Sequence, residues 1–78
     1  THALIIPKRH IASINALQEG DADIVGKLFL AAKEIARDEV FAEPGYRVVM
    51  KCNAAAGQTV FHIHLHLLGG RDLTWPPG

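Results

Sequence analysis

The sequence predicts an α+β domain in which an antiparallel sheet is covered by one main amphipathic helix. Three observations carry this. Residues 21–40 repeat their apolar positions at a helical spacing, "HALIIP" near the start has the β-branched character of a strand, and "YRVVMKC" and "TVFHIHLHLL" alternate around the short loop "NAAAGQ". Two consecutive strands joined by so short a connection pair antiparallel, because a parallel pair needs a long crossover.

Each element has its own justification. Pro7 ends the first strand, since proline has no N–H to give to a sheet ladder. Residues 8–20 read as a turn-rich segment. In the helix, Ile24, Leu28, Ala31 and Ile35 form one stripe, with Val25, Phe29, Ala32 and Ala36 beside it. Asp21 and Asp23 sit where a cap and the positive end of the helix dipole favour carboxylates, and "EPG" at positions 43–45 stops the run. The second strand, residues 46–52, places Tyr46, Val48, Met50 and Cys52 on one face and Arg47, Val49 and Lys51 on the other. The third strand, residues 59–68, turns Phe61, Ile63, Leu65 and Leu67 towards the core, and Val60, His62, His64, His66 and Leu68 away from it.

Composition bounds the function. Seventy-eight residues with 8 basic and 8 acidic side chains make one small domain, residues 1–78, without the basic excess of a nucleic-acid binder. Lys8 and Arg9 are too short a basic run to change that. So short a chain leaves much of its surface exposed, and a partner subunit would help it. The helix carries more apolar surface than one thin sheet layer needs, and the extra stripe is expected to meet its symmetry mate in a homodimer. Cys52 is the single cysteine, so no intrachain disulfide forms and a reducing, cytoplasmic location is expected. No apolar run is long enough to span a bilayer, and no membrane association is expected. The sequence opens at Thr1 directly into an apolar run, and further structure upstream is expected.

Three of the five histidines stand at alternate positions of "FHIHLHLLGG". On a strand they share one face. At a rise of ~3.3 Å per residue, His62 and His66 lie roughly 13 Å apart, too far to join one zinc ion with bonds of ~2.0 Å. One metal therefore does not account for all three, and Cys52 with a histidine pair lacks any familiar ligand spacing. A lone histidine on a sheet face is ordinarily a solvated polar residue, but three in register ask for a use. Neutral imidazole attacks phosphorus, and imidazolium donates hydrogen bonds and a proton. The preceding "AGQTV" supplies a turn whose main-chain N–H groups can form an anion-binding concavity. Together they point to nucleotidyl or phosphoryl transfer on a histidine nucleophile. By the same weighing, Cys52 reads as packing, His10 as a residue fixing a turn, and Trp75 as at least a tail anchor.

"GQTVFHIHLHLLGG" resembles the histidine triad motif, and "HALIIPKRHI" and "GGRDLTWPPG" resemble the flanking regions of the histidine triad (HIT) nucleotide-binding proteins. The likeness runs through nearly the whole chain, and the ending "LLGGRDLTWPPG" is closer to the purine nucleoside phosphoramidase branch than to the dinucleoside polyphosphate hydrolases. It implies a HIT-like fold lacking the family's upstream strands. It also implies hydrolysis of purine nucleoside 5′-phosphoramidates or related nucleotidyl adducts, through a nucleotidyl-histidine intermediate on His64. His62 and His66 would flank the nucleophile and His2 would support the cluster. Gln58, Thr59 and Val60 match the phosphate-contacting segment, and Trp75 matches a tryptophan that reaches the partner's site in related homodimers. No cofactor or metal is implied.

The resemblance also shows departures. The upstream groups that contact base and ribose are not in the sequence, and the family's asparagine falls at position 51, which is lysine here, with Asn53 two residues along. Lys51 and Asn53 are thus both candidates for a nucleotide contact. The other function class in play is a nucleotide-binding regulatory or scaffold protein with little turnover.

Overall fold

The computed structural model describes residues 1–77. Among them the regular elements are β1 (His2–Ile5), α1 (Ala22–Asp38), β2 (Tyr46–Val49) and β3 (Leu65–Gly69), with short 3-10 turns at Ile14–Ala16, Glu19–Asp21 and Ala54–Ala56. The strands form an antiparallel sheet in the order β1-β3-β2, so the histidine-bearing strand is central. Leu4 faces His66 and His2 faces Leu68 across one ladder; Val49 faces His66 and Arg47 faces Leu68 across the other.

The core lies between the sheet and α1. Ile63, Leu65 and Leu67 meet Leu28, Ala32 and Ala36 of the helix, and Ile11 and Phe41 close the ends. Burial of each large aliphatic side chain contributes about 1.5–3 kcal/mol. The alanines matter for another reason: small side chains at positions 32 and 36 let the helix sit close on the sheet. Phe41 packs over the backbone of Gly69, where an added Cβ would come within 2.5 Å of the ring. Glycine is required there by contact, not by its torsion angles.

Asp21 and Arg9 join the long 8–20 segment to the helix. The Asp21 carboxylate is buried, accepts the main-chain N–H of Gln18 at 2.8 Å, and lies 2.9 Å from the Arg9 guanidinium. It therefore serves the preceding turn and makes no side-chain cap bond to α1. The helix ends in a Schellman arrangement, with Phe41 N–H donating to the Ala36 carbonyl and Val40 N–H to that of Arg37. Its left-handed residue is Val40, at φ 65° and fully in solvent. The helix thus stops before "EPG", at a residue whose sequence gives no stop signal.

Two strand expectations are corrected in extent. β2 ends at Val49 and not at Cys52, although Met50 still packs on the core. β3 begins at Leu65 and not at Thr59. The flanking strands end at Ile5 and Val49, so there is no ladder for residues 59–64 to join. Residues 60–62 bend instead, and Phe61, expected in the core, is 53 % exposed. The alternation survives from Ile63 onwards: Ile63, Leu65 and Leu67 are buried, while His62, His64 and His66 are half-buried.

Candidate active site

The open face of the sheet carries the imidazoles, because the opposite face is occupied by α1. His2 on β1 and His66 on β3 are joined by a ring-to-ring hydrogen bond, Nε2 to Nδ1, of 2.8 Å. His64 stands edge-on to His66 with ring centres 4.9 Å apart. Beyond it, His62 meets His10 edge-on at 5.2 Å. The five rings thus form two groups, one of His2, His66 and His64 and one of His62 and His10, linked through the His62 main-chain carbonyl, and His10 was not legible as part of them. The signal for His10 was only its closeness to Pro7 in "PKRH".

Main-chain carbonyls set the tautomers. His64 Nδ1 lies 2.8 Å from the carbonyl oxygen of His62, and a carbonyl only accepts, so Nδ1 carries the proton and donates it. In the neutral ring Nε2 is then left with a free lone pair. His62 is held in the opposite sense, with Nε2 donating to the Pro7 carbonyl at 2.9 Å. Proline thus both ends β1 and orients a triad histidine through its own C=O, a contact that side-chain patterns do not reveal.

His66 is the perturbed member. Burial first, then the His64 ring, the Lys51 ammonium and His2, hold its pKa below the ordinary histidine value. Its Nε2 is buried and, among the described residues, has no partner. Protonation would leave a charged, unsatisfied donor in the interior. Its surroundings therefore favour the neutral form of His66.

The loop before the triad is built around Gln58. Its buried side chain accepts the Asn53 N–H at 2.7 Å and donates to the carbonyls of Ala12 at 2.9 Å and Val60 at 3.1 Å. Its own main-chain N–H donates to the Asn53 carbonyl. Every strong hydrogen-bonding group of the side chain is thus committed to holding loop 53–58 against the 8–20 segment. By contrast, Thr59 and Val60 are exposed, and among the described residues no carbonyl accepts from either main-chain N–H. Both residues stand at the start of the bend that carries His62.

Lys51 and Asn53 also separate. Asn53, at φ 67°, works through its backbone, and among the described residues its side chain makes no hydrogen bond. Lys51 is half-buried and runs along the turn at Gly57, with its Nζ 3.9 Å from where a Cβ of residue 57 would sit. Trp75 is 79 % exposed on the tail, which Arg47 anchors by donating to the Thr74 carbonyl at 2.8 Å. Cys52 is a half-buried free thiol. Among the described residues no group of three or more His, Cys, Asp or Glu side chains is placed to hold a metal ion, and no helix is long and apolar enough to cross a membrane.

A central strand that turns aliphatic residues to a helix and a row of imidazoles to the open face is the histidine-triad arrangement. Comparison with known proteins agrees. The HIT domain profile matches residues 1–73. An uncharacterized HIT-like protein of Synechococcus elongatus is 48% identical over 77 residues, which cover 99% of this chain and 67% of that protein. The crystal structure of a HIT family hydrolase from Legionella pneumophila superposes with a TM-score of 0.97 at 52% identity, covering 100% of this chain and 70% of the other. A HIT family hydrolase from Clostridium thermocellum gives a TM-score of 0.91 at 50% identity, covering 95% and 64%. The chain belongs to the HIT domain family, and it spans about two thirds of the length of these relatives.

Proposed function

We propose that the protein hydrolyses purine nucleoside 5′-phosphoramidates or related nucleotidyl adducts, with His64 as nucleophile and nucleoside monophosphate as product. The observation that supports this most directly is the hydrogen bond from His64 Nδ1 to the His62 carbonyl, which leaves Nε2 as the free base. Nε2 attacks the α-phosphorus, the N–P bond forms, and the bond to the leaving group breaks with its electron pair. An amine leaving group takes up a proton from a neighbouring imidazolium, that of His2 or His62. Water then attacks the nucleotidyl-histidine and gives a proton to the imidazole that had lost one, the N–P bond breaks, and its electron pair returns to Nε2. Splitting one displacement into two lowers each barrier. The main-chain N–H groups of Thr59 and Val60, to which no carbonyl is paired among the described residues, are the donors proposed for the phosphate oxygens. The relatives named as hydrolases support the same reaction class.

In the proposed assembly a homodimer brings Trp75 of each chain to its partner's site. The test of the chemistry is His64→Ala. Turnover of an adenosine 5′-phosphoramidate should fall by at least about 10³-fold, while AMP still binds, because the main-chain donors remain. Wild-type turnover in that variant would remove His64 from the mechanism. Binding without turnover in the wild-type protein would favour the regulatory reading instead.

A further inference from the structure

Lys51 places a cation beside the imidazole cluster, and three observations bear on where it lies. Lys51 follows the end of β2, two residues beyond Val49, which faces His66 across the last pair of the ladder. The stem of Lys51 lies along Gly57, with its Cδ 3.8 Å and its Nζ 3.9 Å from the position a Cβ would take there. Its charge also reaches His66, where it opposes protonation. Lys51 is half-buried as a residue, and its stem lies against the turn at Gly57.

We propose that Lys51 is a specificity residue that favours substrates whose leaving group carries an anion of its own. The proposal rests on the hydrolase reading above and deepens it. The α-phosphate already has donors in the main chain of Thr59 and Val60, and a neutral amine leaving group offers an ammonium nothing to bind. A carboxylate on the departing amine, or a second phosphate in its place, would form a charge-assisted contact with Lys51. Asn53 does not compete for this role, since its backbone shapes the loop and its side chain is exposed.

The test compares Lys51→Met, Lys51→Asn and Lys51→Arg with the wild-type protein on three substrates. These are an adenosine 5′-phosphoramidate of a neutral alkylamine, the phosphoramidate of an amino acid, and ATP, whose leaving group is pyrophosphate. In the Met and Asn variants, kcat/KM should fall about tenfold or more on at least one anionic substrate and less than about threefold on the neutral one. Which anionic substrate suffers more tells carboxylate from phosphate. The Arg variant should restore most of the loss, and added salt should weaken the wild-type preference. Equal losses on all three substrates, or none on any, would overturn the proposal while leaving hydrolysis intact. Should the wild-type protein turn over none of them, the hydrolase reading falls. Lys51 is then judged by calorimetric binding of ADP against AMP, where a preference for ADP lost in Lys51→Met upholds the anion contact and an unchanged ratio rejects it.

Discussion

At the scale of single residues, Gln58 and His66 show how differently two polar side chains can be used beside one site. Gln58 sits where a phosphate contact was expected, yet its amide is consumed by Ala12, Val60 and Asn53. It shapes the loop whose free N–H groups follow it. Gln58→Ala should therefore cost about 2 kcal/mol of stability, since buried main-chain groups lose their partners, as read from denaturant titration. His66 is coupled to pH. Its pKa is lowered in the fold, so as pH falls the unfolded chain takes up this proton first. The stability it contributes is present above about pH 6.5, the unperturbed value, and is lost as pH falls from there through the lowered folded-state value. Calorimetric melting between pH 8 and pH 5 should show a falling midpoint, with a shallower fall in His66→Gln. Parallel slopes would show that His66 does not carry the acid sensitivity.

Among the elements, the helix was the most legible and its end the least. Spacing announces two adjacent apolar stripes, and the buried face takes Leu28 from one and Ala32 and Ala36 from the other, while Phe29 of the second stays exposed. Val40 carries no such signal, because β-branched residues avoid positive φ and glycine is usual at that position. Val40→Gly should relieve the left-handed strain without loss of packing, and raise stability by about 0.5–1 kcal/mol after the entropy of the unfolded glycine is counted. Unchanged or lower stability by thermal melting would mean that valine meets no net cost there. The strands were legible in their alternation but not in their length. Alternation is written in the side chains, whereas length depends on where neighbouring strands stop, as Phe61 and Thr59 show. The same holds for the site: the triad stands out in the sequence, but the Pro7 and His62 carbonyls that orient it belong to the backbone and have no letter of their own.

For the molecule as a whole, the sheet and helix leave apolar surface uncovered. Phe29 and Leu30 are 47 % and 61 % exposed, and an apolar cleft of about 230 Å³ lies between Ile14, Leu17, Val25, Phe29, Val48, Met50 and Leu65. Exposed apolar clusters of this kind mark contact surfaces, which supports the proposed pairing of helices. Light scattering at micromolar concentration should give twice the chain mass, and Phe29→Glu with Leu30→Glu should return the monomer. A monomer before substitution would remove this part of the proposal. The central strand has one further consequence. Because Leu65 and Leu67 serve the core while His64 and His66 serve the site, core and chemistry are interleaved one residue at a time along a single segment. Inserting or deleting one residue there would exchange the two roles, putting rings inside and aliphatic chains outside. Descendants of this sequence can therefore vary the length of their loops, but within residues 63–67 inheritance is confined to replacement, letter for letter.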